Sequence, residues 1–261
     1  MMHSLSFDPL IALYDETRTV DARCFRTALD ALVAHFPPQR FPRLFEPGIG
    51  NGRIAIPLAE LGYTITGADI ASTMLRAGKE RAMPFPIVWH QADVTRLPYA
   101  TATFDLAVAT HLFYFIHDWQ QAAPELLRVV RSDGPIVLMH TGSGAEIPAL
   151  NARYKALCTE YACPIPTIGV ESTREVVMYY EALGCYVESW RDRWTWTAHI
   201  RVEQALEHIQ ARAYSFTTFA PDAVHHRVVK QIAIELKQQY GDLRNTEIDV
   251  PNQVYMVIIS R

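Results

Sequence analysis

The sequence predicts an α/β fold in which a mostly parallel, doubly wound sheet carries helices on both faces. Two observations support this. Apolar segments of strand length alternate with segments of helical periodicity from about residue 43 to residue 142. The connections between them are short, which is typical of parallel strands joined by crossover helices. The 261 residues can bury a sizeable core within one large domain.

The first half of the chain supplies these elements in regular order. Residues 21–36 have helical spacing that ends before Pro37 and Pro38. A strand that ends near Phe45 leads into a glycine loop, and the helix after the loop is closed by Gly62. The pattern then predicts a strand over 63–70, a helix opened by Ser72, strands over 86–93 and 104–110, a helix capped by Asp118 and closed at Gly134, and a strand over 135–141.

The second half is less regular. Residues 145–170 indicate a helix and a proline-containing loop, inserted before a helix over 172–184. The remaining chain predicts an extended segment over 185–199, helices over 201–214 and 222–240, and a final strand over 253–260. The insertion, which contains Tyr154 and Tyr161, is either a lid over a binding site or decoration of the surface.

Composition and charge exclude several classes of protein. The net charge of −4, without any run of lysine and arginine, argues against nucleic acid as a partner. The chain has neither a signal-peptide pattern at its start nor an apolar stretch of membrane-spanning length, so we expect a cytoplasmic protein without a membrane partner. The four cysteines lack metal-ligand spacing, and we expect reduced thiols and no metal site.

A glycine loop, Glu46-Pro-Gly48-Ile-Gly50-Asn-Gly52, follows the first strand. Glycines at alternate positions let a loop turn tightly and bring its backbone against a ligand. Such a loop also belongs to nicotinamide dinucleotide sites, and Asp69 lies 19 residues after Gly50, about the spacing of a ribose-binding acid. The dinucleotide pattern, however, needs a third glycine where Arg53 stands.

Charge separates the two possibilities. Glu46, Asp69 and Asp93 end three successive predicted strands, so their carboxylates should surround one crevice. A pyrophosphate would be repelled there. S-adenosylmethionine has a sulfonium and an ammonium and no phosphate, so an acidic crevice suits it.

Three stretches of the chain resemble the class I S-adenosylmethionine-dependent methyltransferases of the group that acts on small molecules. They are LFEPGIGNGRIAIPLAELGYTITGADIASTML, QADVTRLPYATATFDLAV and PELLRVVRSDGPIVL, and they fall within residues 40–142. The resemblance implies a Rossmann-like seven-stranded sheet. It also implies that residues 40–142 bind S-adenosylmethionine and that S-adenosylhomocysteine is the product.

The same resemblance assigns site residues. Glu46, Gly48 and Gly50 would face the methionine end, Asp69 the ribose, and Asp93 the adenine amine. Tyr14 and Arg18 fall in a segment similar to the family's substrate-side segment, where an aromatic residue covers the cofactor. The full predicted cofactor set is Tyr14, Arg18, Glu46, Gly48, Gly50, Gly52, Asp69, Ile70, Met74, Asp93, Val94, Thr110 and His111.

The predicted catalytic residues are His111, Tyr14 and His140. His111 follows the fourth strand, and an imidazole that titrates near neutral pH could take a proton from an acceptor. His140 either belongs to the site or is a satisfied core histidine. Tyr114 is a further candidate for acceptor contact, whereas His117 is better explained as a surface residue beside a helix start.

Aromatic residues are also concentrated near the end of the sheet. Trp194 and Trp196 are two residues apart, with Trp190 just before them. This spacing favours a strand face packed on the core over a surface that stacks on substrate.

These observations together predict one methyltransferase domain over 1–261, with helical elaborations over 144–170 and 199–245 that cover the acceptor site. The expected reaction is in-line transfer of a methyl group to an oxygen, nitrogen or carbon atom of a small molecule, by a monomer or homodimer. A nicotinamide-dependent oxidoreductase and a cofactor-binding regulator without catalysis are the alternatives.

Overall fold

The computed structural model describes residues 7, 10 and 13–261. Its strands are β1 (Arg43–Pro47), β2 (Thr64–Asp69), β3 (Val88–Gln91), β4 (Leu106–Thr110), β5 (Ile136–Thr141), β6 (Tyr186–Arg201) and β7 (Glu247–Ser260). Within the described residues they form one seven-stranded sheet in the order β3-β2-β1-β4-β5-β7-β6. Strands β1 to β5 are parallel, and β7 pairs antiparallel with both β5 and β6. The predicted mostly parallel α/β sheet is thereby confirmed.

Helices cover both faces of the sheet. The helices are α1 (Ala22–His35), α2 (Ala55–Glu60), α3 (Ser72–Arg81), α4 (Trp119–Val129), α5 (Pro148–Glu160), α6 (Thr173–Ala182), α7 (Val202–Gln210) and α8 (Asp222–Tyr240). In β4, Leu106 and Val108 pack with α1, α2 and α3, while Ala107 and Ala109 face α4 and α6. The alternation along each buried strand therefore supplies two separate apolar layers.

Two helix starts differ from the predicted ones. Ser72 is the first residue of α3 and does not cap it; the Asp69 carboxylate accepts instead from the backbone N–H of Ala71, at 2.8 Å. Asp118 stands at the N-cap of α4, but its side chain lies 3.0 Å from His117 Nδ1 and makes no cap hydrogen bond. Each helix starts within one residue of the predicted position, but the predicted cap hydrogen bond is absent from both.

Tryptophans of β6 belong to the core, as predicted. Trp190 and Trp194 are buried among the residues that pack against α1, and Trp196 is packed beside them. They do not line the cavity described below. The structure thus supports the packing interpretation of this aromatic segment.

A third apolar cluster lies beyond the sheet's main core. It joins α5, α7 and α8 to the carboxyl-terminal part of β6 and the amino-terminal part of β7. Tyr154 lies at its centre and is fully buried. The Tyr154 hydroxyl lies 2.8 Å from His225 Nδ1, so its one polar group has a partner. The helices of the second half are therefore held by their own apolar core.

The topology decides where a ligand can bind. From β1 the chain moves to β2 on one side and later crosses to β4 on the other, so the sheet order reverses between β1 and β4. Crevices at such switch points lie outside the carboxyl ends of the strands. Among the helices of the described residues, none is long and apolar enough to cross a membrane.

Candidate active site

A cavity of about 870 Å³ opens at the carboxyl ends of β1, β2, β4 and β5. This volume lies within the range of roughly 300–1,000 Å³ that is usual for ligand and cofactor sites. Every predicted cofactor residue except Gly52 lines it: Tyr14, Arg18, Glu46, Gly48, Gly50, Asp69, Ile70, Met74, Asp93, Val94, Thr110 and His111.

The glycine loop is held against the end of β2. Gly48 and Ile49 donate their backbone N–H groups to the carbonyl of Ala68, at 2.7 and 3.1 Å. Gly50 donates its N–H to the Asp69 carboxylate at 2.8 Å. Gly48 and Gly50 both adopt positive φ, 70° and 56°, which glycine accepts without strain. These N–H groups consequently point toward protein acceptors and not toward a ligand anion.

Gly52 has a packing role instead of the predicted ligand contact. Its φ is 82°, and a Cβ at this position would come within 2.8 Å of the Trp89 ring and 3.1 Å of Ile56. The glycine therefore allows the loop to pack on the side chains below it. Gly52 stands one residue before the position at which the dinucleotide pattern has its third glycine, which agrees with this different role.

Glu46 is buried under the loop, with a side-chain oxygen that lacks a partner. The residue is 2% exposed, and among the described residues no donor lies within hydrogen-bond distance of its Oε2. Burial raises the pKa of Glu46 well above its ordinary value, the cationic Arg53 opposes that shift, and Asp69 adds to it. A ligand cation at Oε2 would satisfy this atom.

Two further buried oxygens around the cavity also lack hydrogen-bond partners within the part of the chain that is described. They are Oδ1 of Asn51, whose amide donates to Asp15 at 2.9 Å, and the hydroxyl oxygen of Thr110. Each can accept a hydrogen bond. The cavity thus offers several unsatisfied acceptors to a ligand that is rich in N–H and O–H donors.

Asp93 lies slightly beyond its predicted position. β3 ends at Gln91, so Asp93 is in the following turn, where its Oδ1 accepts from both the backbone N–H and the hydroxyl of Thr95. The residue still lines the cavity. The acids after three neighbouring strands do meet around one crevice, as the sequence predicts.

His111 begins a 3-10 helix over Leu112–Phe115 and has a φ of 53°. Its Nε2 lies 3.0 Å from the carbonyl oxygen and 3.2 Å from the hydroxyl of Thr141. Burial, with a smaller effect from Arg53, lowers the pKa of His111 to about 4. This shift runs opposite to the expectation that the imidazole titrates near neutral pH, and it weakens the argument for His111 as a general base.

His140 is a core residue and does not line the cavity. It stacks on Tyr255 with ring centroids 4.4 Å apart, and its Nε2 lies 3.0 Å from the hydroxyl of Thr173. Burial lowers the pKa of His140 to about 2. Of the two interpretations offered by the sequence, the satisfied core histidine fits; the catalytic assignment of His140 does not. His117 is exposed and pairs with Asp118, as expected of a surface residue.

The two lowered histidine pKa values give a pH prediction. In the unfolded chain both imidazoles protonate near pH 6.5, whereas in the folded chain they stay neutral until about pH 4 or below. Since the unfolded state binds more protons, the free energy of unfolding should fall as the pH drops from 6.5 toward 4. Nitrogen-detected NMR of the His111 ring should show a neutral imidazole from pH 8 to about pH 5.5; a titration midpoint near 6.5 would contradict this environment.

Several cavity residues escaped the sequence analysis. Arg53 lines the cavity beside Glu46, and its Nη2 donates to the Thr141 hydroxyl at 3.2 Å. In the sequence, the only sign of a role for Arg53 was that it stands where a dinucleotide-binding loop has its third glycine. The second half of the chain adds a wall made of Ser143, Glu146, Pro148, Asn151, Lys155, Ile165, Pro166, Ile168, Val170, Tyr214, Phe216 and Phe219.

Comparisons with known proteins agree with this geometry. Residues 45–138 match the family model described as a methyltransferase domain. The chain is 30% identical over 132 residues to malonyl-[acyl-carrier protein] O-methyltransferase of Enterobacter lignolyticus, covering 51% of each protein. It is 29% identical over 196 residues to demethylmenaquinone methyltransferase of Streptomyces griseus, covering 72% of this chain and 79% of that protein. The chain thus spans only about half the length of the first relative.

Solved structures show the same fold. YcgJ from Bacillus subtilis superposes with a TM-score of 0.59 at 16% identity, covering 90% of this chain and 99% of that one. Phosphoethanolamine N-methyltransferase 2 of Haemonchus contortus, solved with S-adenosyl-L-methionine, gives a TM-score of 0.52 at 16% identity, covering 90% of this chain and 52% of that one. Residues 45–138 thus match a methyltransferase domain, and the chain has the fold of these structures.

Proposed function

We propose that this protein transfers the methyl group of S-adenosylmethionine to a small-molecule acceptor and releases S-adenosylhomocysteine. One observation carries the proposal: the Asp69 carboxylate accepts the N–H of Gly50, at the place where a dinucleotide loop would present N–H groups to a diphosphate. A loop whose donors are already bound, beside a carboxylate, suits a phosphate-free nucleoside. It also disfavours the nicotinamide alternative.

The methionine part of the cofactor carries an ammonium and a carboxylate. Glu46, with its unpartnered Oε2, supports binding of the ammonium, and Arg53 beside it supplies a cation for the carboxylate. The pair is thus complementary to an amino-acid zwitterion.

The nucleoside part would extend toward β2 and β3. Asp69 would accept from the ribose hydroxyls and Asp93 from the adenine amine, with Ile70, Met74 and Val94 around the base. Met74 and Val94 are buried, whereas Ile70 is 36% exposed at the cavity edge. A carboxylate oxygen has more than one lone pair, so the contact of Asp69 with Gly50 leaves it able to accept from a hydroxyl.

S-adenosylmethionine, when bound, supplies an electrophilic methyl group with a good leaving group. The protein's own contribution is then alignment of the acceptor and exclusion of water. Residues of the predicted elaborations 144–170 and 199–245 line the cavity opposite the strand ends, including Glu146, Tyr214 and Phe216. This supports the proposal that both segments cover the acceptor.

Binding and turnover test the proposal separately. In isothermal titration of the wild-type protein, S-adenosylmethionine should bind more tightly than NAD by a factor of about 100, which is about 2.7 kcal/mol. Comparable or tighter binding of NAD would contradict the proposal. Formation of S-adenosylhomocysteine with an added acceptor distinguishes an enzyme from a cofactor-binding regulator, which would bind without turnover.

A further inference from the structure

The carboxylate of Glu146 lies apart from the acids at the strand ends, on the cavity wall between β5 and α5. Its side chain is 32% exposed, and Arg18 Nη1 lies 3.8 Å from its Oε1. Asn151 donates to Oε2 at 3.3 Å. The Arg18 distance is too long for a hydrogen bond, so Oε1 is held by charge and keeps its acceptor capacity for a ligand.

The surroundings fix this ion pair in place. Arg18 donates to the Thr17 hydroxyl at 2.7 Å, and its guanidinium lies 5.4 Å from the Tyr14 ring centre and 5.7 Å from that of Tyr214. The Tyr214 hydroxyl in turn donates to the backbone carbonyl of Ala145 at 2.9 Å. A side chain held by packing and hydrogen bonds can keep a productive orientation toward a substrate.

We propose that Glu146 is the residue that takes the proton from the acceptor, and that the acceptor is a neutral hydroxyl on a flat, apolar body. This inference rests on the function proposed above and names the chemistry of the same cavity's acceptor side. It gives the role first expected of His111 to a residue that sequence analysis did not identify.

The charges around Glu146 favour a hydroxyl over other acceptors. A substrate carboxylate would be repelled by Glu146 itself, and a substrate ammonium would meet Arg18 and Lys155, which both act on the Glu146 carboxylate. A neutral hydroxyl meets neither repulsion and can donate to Oε1. The groups that face this region are Arg18 from the amino-terminal segment, Lys155 from α5, His208 from α7 and Tyr214.

Aromatic side chains form the adjoining wall. The rings of Tyr214 and Phe216 are stacked 5.6 Å apart at an angle of 5°, and Lys155 Nζ lies 5.2 Å from the Phe216 ring centre. Phe115 and Phe219 also line the cavity. Aromatic surface of this kind can bury a flat apolar group.

The basicity of the candidate groups agrees with the assignment. Partial burial raises the pKa of Glu146 above its ordinary value of 4.5, against the opposing effects of Arg18 and Lys155. The pKa of His111 is instead lowered to about 4, and its Nε2 is engaged with Thr141. A base is more effective as its pKa approaches the working pH.

The chemical step balances without any further reactant. The acceptor oxygen forms a bond to the methyl carbon as the carbon–sulfur bond breaks, and the bonding pair goes to sulfur, which becomes neutral. The hydroxyl proton moves to Glu146 Oε1 and later to water. The products are a methyl ether, S-adenosylhomocysteine and a proton.

The test compares the wild-type protein with Glu146→Gln, using 2-naphthol, 2-naphthoic acid and 2-naphthylmethylamine, which carries an ammonium at neutral pH, as probes. Glu160→Gln is the matched control, because Glu160 is the last residue of α5, the helix that follows Glu146, and pairs on the surface with Arg153. Turnover is measured as S-adenosylhomocysteine formed, as a function of pH, and S-adenosylmethionine affinity is measured by calorimetry. We expect 2-naphthol to be methylated by the wild type at least about tenfold more efficiently than the other two probes.

For Glu146→Gln we expect kcat to fall roughly 100-fold or more with the cofactor affinity within about threefold of wild type. The acid limb of the wild-type pH profile should also disappear. Retained turnover in Glu146→Gln, a preference for the acid or the amine, or failure of all three probes with the wild type would overturn the inference. If the wild-type protein still bound S-adenosylmethionine in those cases, only this inference would fail and the proposed function would stand. If the wild-type protein did not bind S-adenosylmethionine, the proposed function would fail as well.

Discussion

Replacement of Asp69 by alanine is expected to weaken the binding of S-adenosylmethionine by roughly 1–3 kcal/mol, the usual cost of removing a charged hydrogen-bond partner. The carboxylate accepts from the N–H groups of Gly50 and Ala71, so its loss frees both the glycine loop and the start of α3. It also removes the proposed acceptor for the ribose hydroxyls. The affinity should therefore fall about tenfold or more.

Calorimetric titration of Asp69→Ala measures this effect directly. Asp30→Ala is a matched control, since Asp30 is a surface aspartate of α1 that pairs with Arg26. The control should bind the cofactor as the wild type does, because exposed ion pairs contribute little. An unchanged affinity in a folded Asp69→Ala variant would count against the ribose assignment.

Replacement of Tyr154 by alanine is expected to lower the free energy of unfolding by about 3–5 kcal/mol, as for other large aromatic residues in cores. Tyr154 is fully buried at the centre of the cluster formed by α5, α7 and α8. The substitution opens a cavity there and leaves His225 Nδ1 without its partner hydroxyl. The helices that line the acceptor side should loosen with this cluster.

Urea unfolding of Tyr154→Ala and Tyr154→Phe separates packing from hydrogen bonding. The phenylalanine variant keeps the ring and should lose only about 1 kcal/mol. Tyr186→Ala provides a surface comparison, because Tyr186 is 71% exposed. This substitution should change the free energy of unfolding by no more than about 0.5 kcal/mol. If Tyr154→Ala were as stable as the surface variant, the third cluster would not hold the helical cover.

The order of strands and helices was predictable because each buried strand is a short apolar run. β4 and β5 are buried almost throughout, so their sequences carry a strong local signal. The acids at the crevice were predictable for a related reason, since parallel strands place their carboxyl ends at one edge. Residue positions along the chain therefore sufficed for Glu46 and Asp69.

Which face of a strand a side chain occupies was harder to predict. His140 shares a face of β5 with Ile136 and Leu138, which pack in the layer of α4 and α6. The alternation of β5 was visible in the sequence, but the layer that each face meets depends on helices far away in the chain. The histidine was therefore assigned to the site although it stacks on Tyr255.

The acceptor side of the cavity could not be derived from local patterns. Glu146, Arg18 and Tyr214 come from three segments that no short-range motif connects. Their proximity depends on how α5 and α7 dock against the carboxyl-terminal part of β6 and the amino-terminal part of β7. Such long-range packing leaves little signature in a single sequence.

A crystal structure of the protein with S-adenosylhomocysteine tests most directly whether the strand-end acids were built for a phosphate-free nucleoside. The account predicts Asp69 on the ribose hydroxyls, the amino group of the ligand on Glu46 Oε2, and the sulfur facing the wall that contains Glu146. Density for the ligand outside this crevice, or carboxylates turned away from it, would contradict the account.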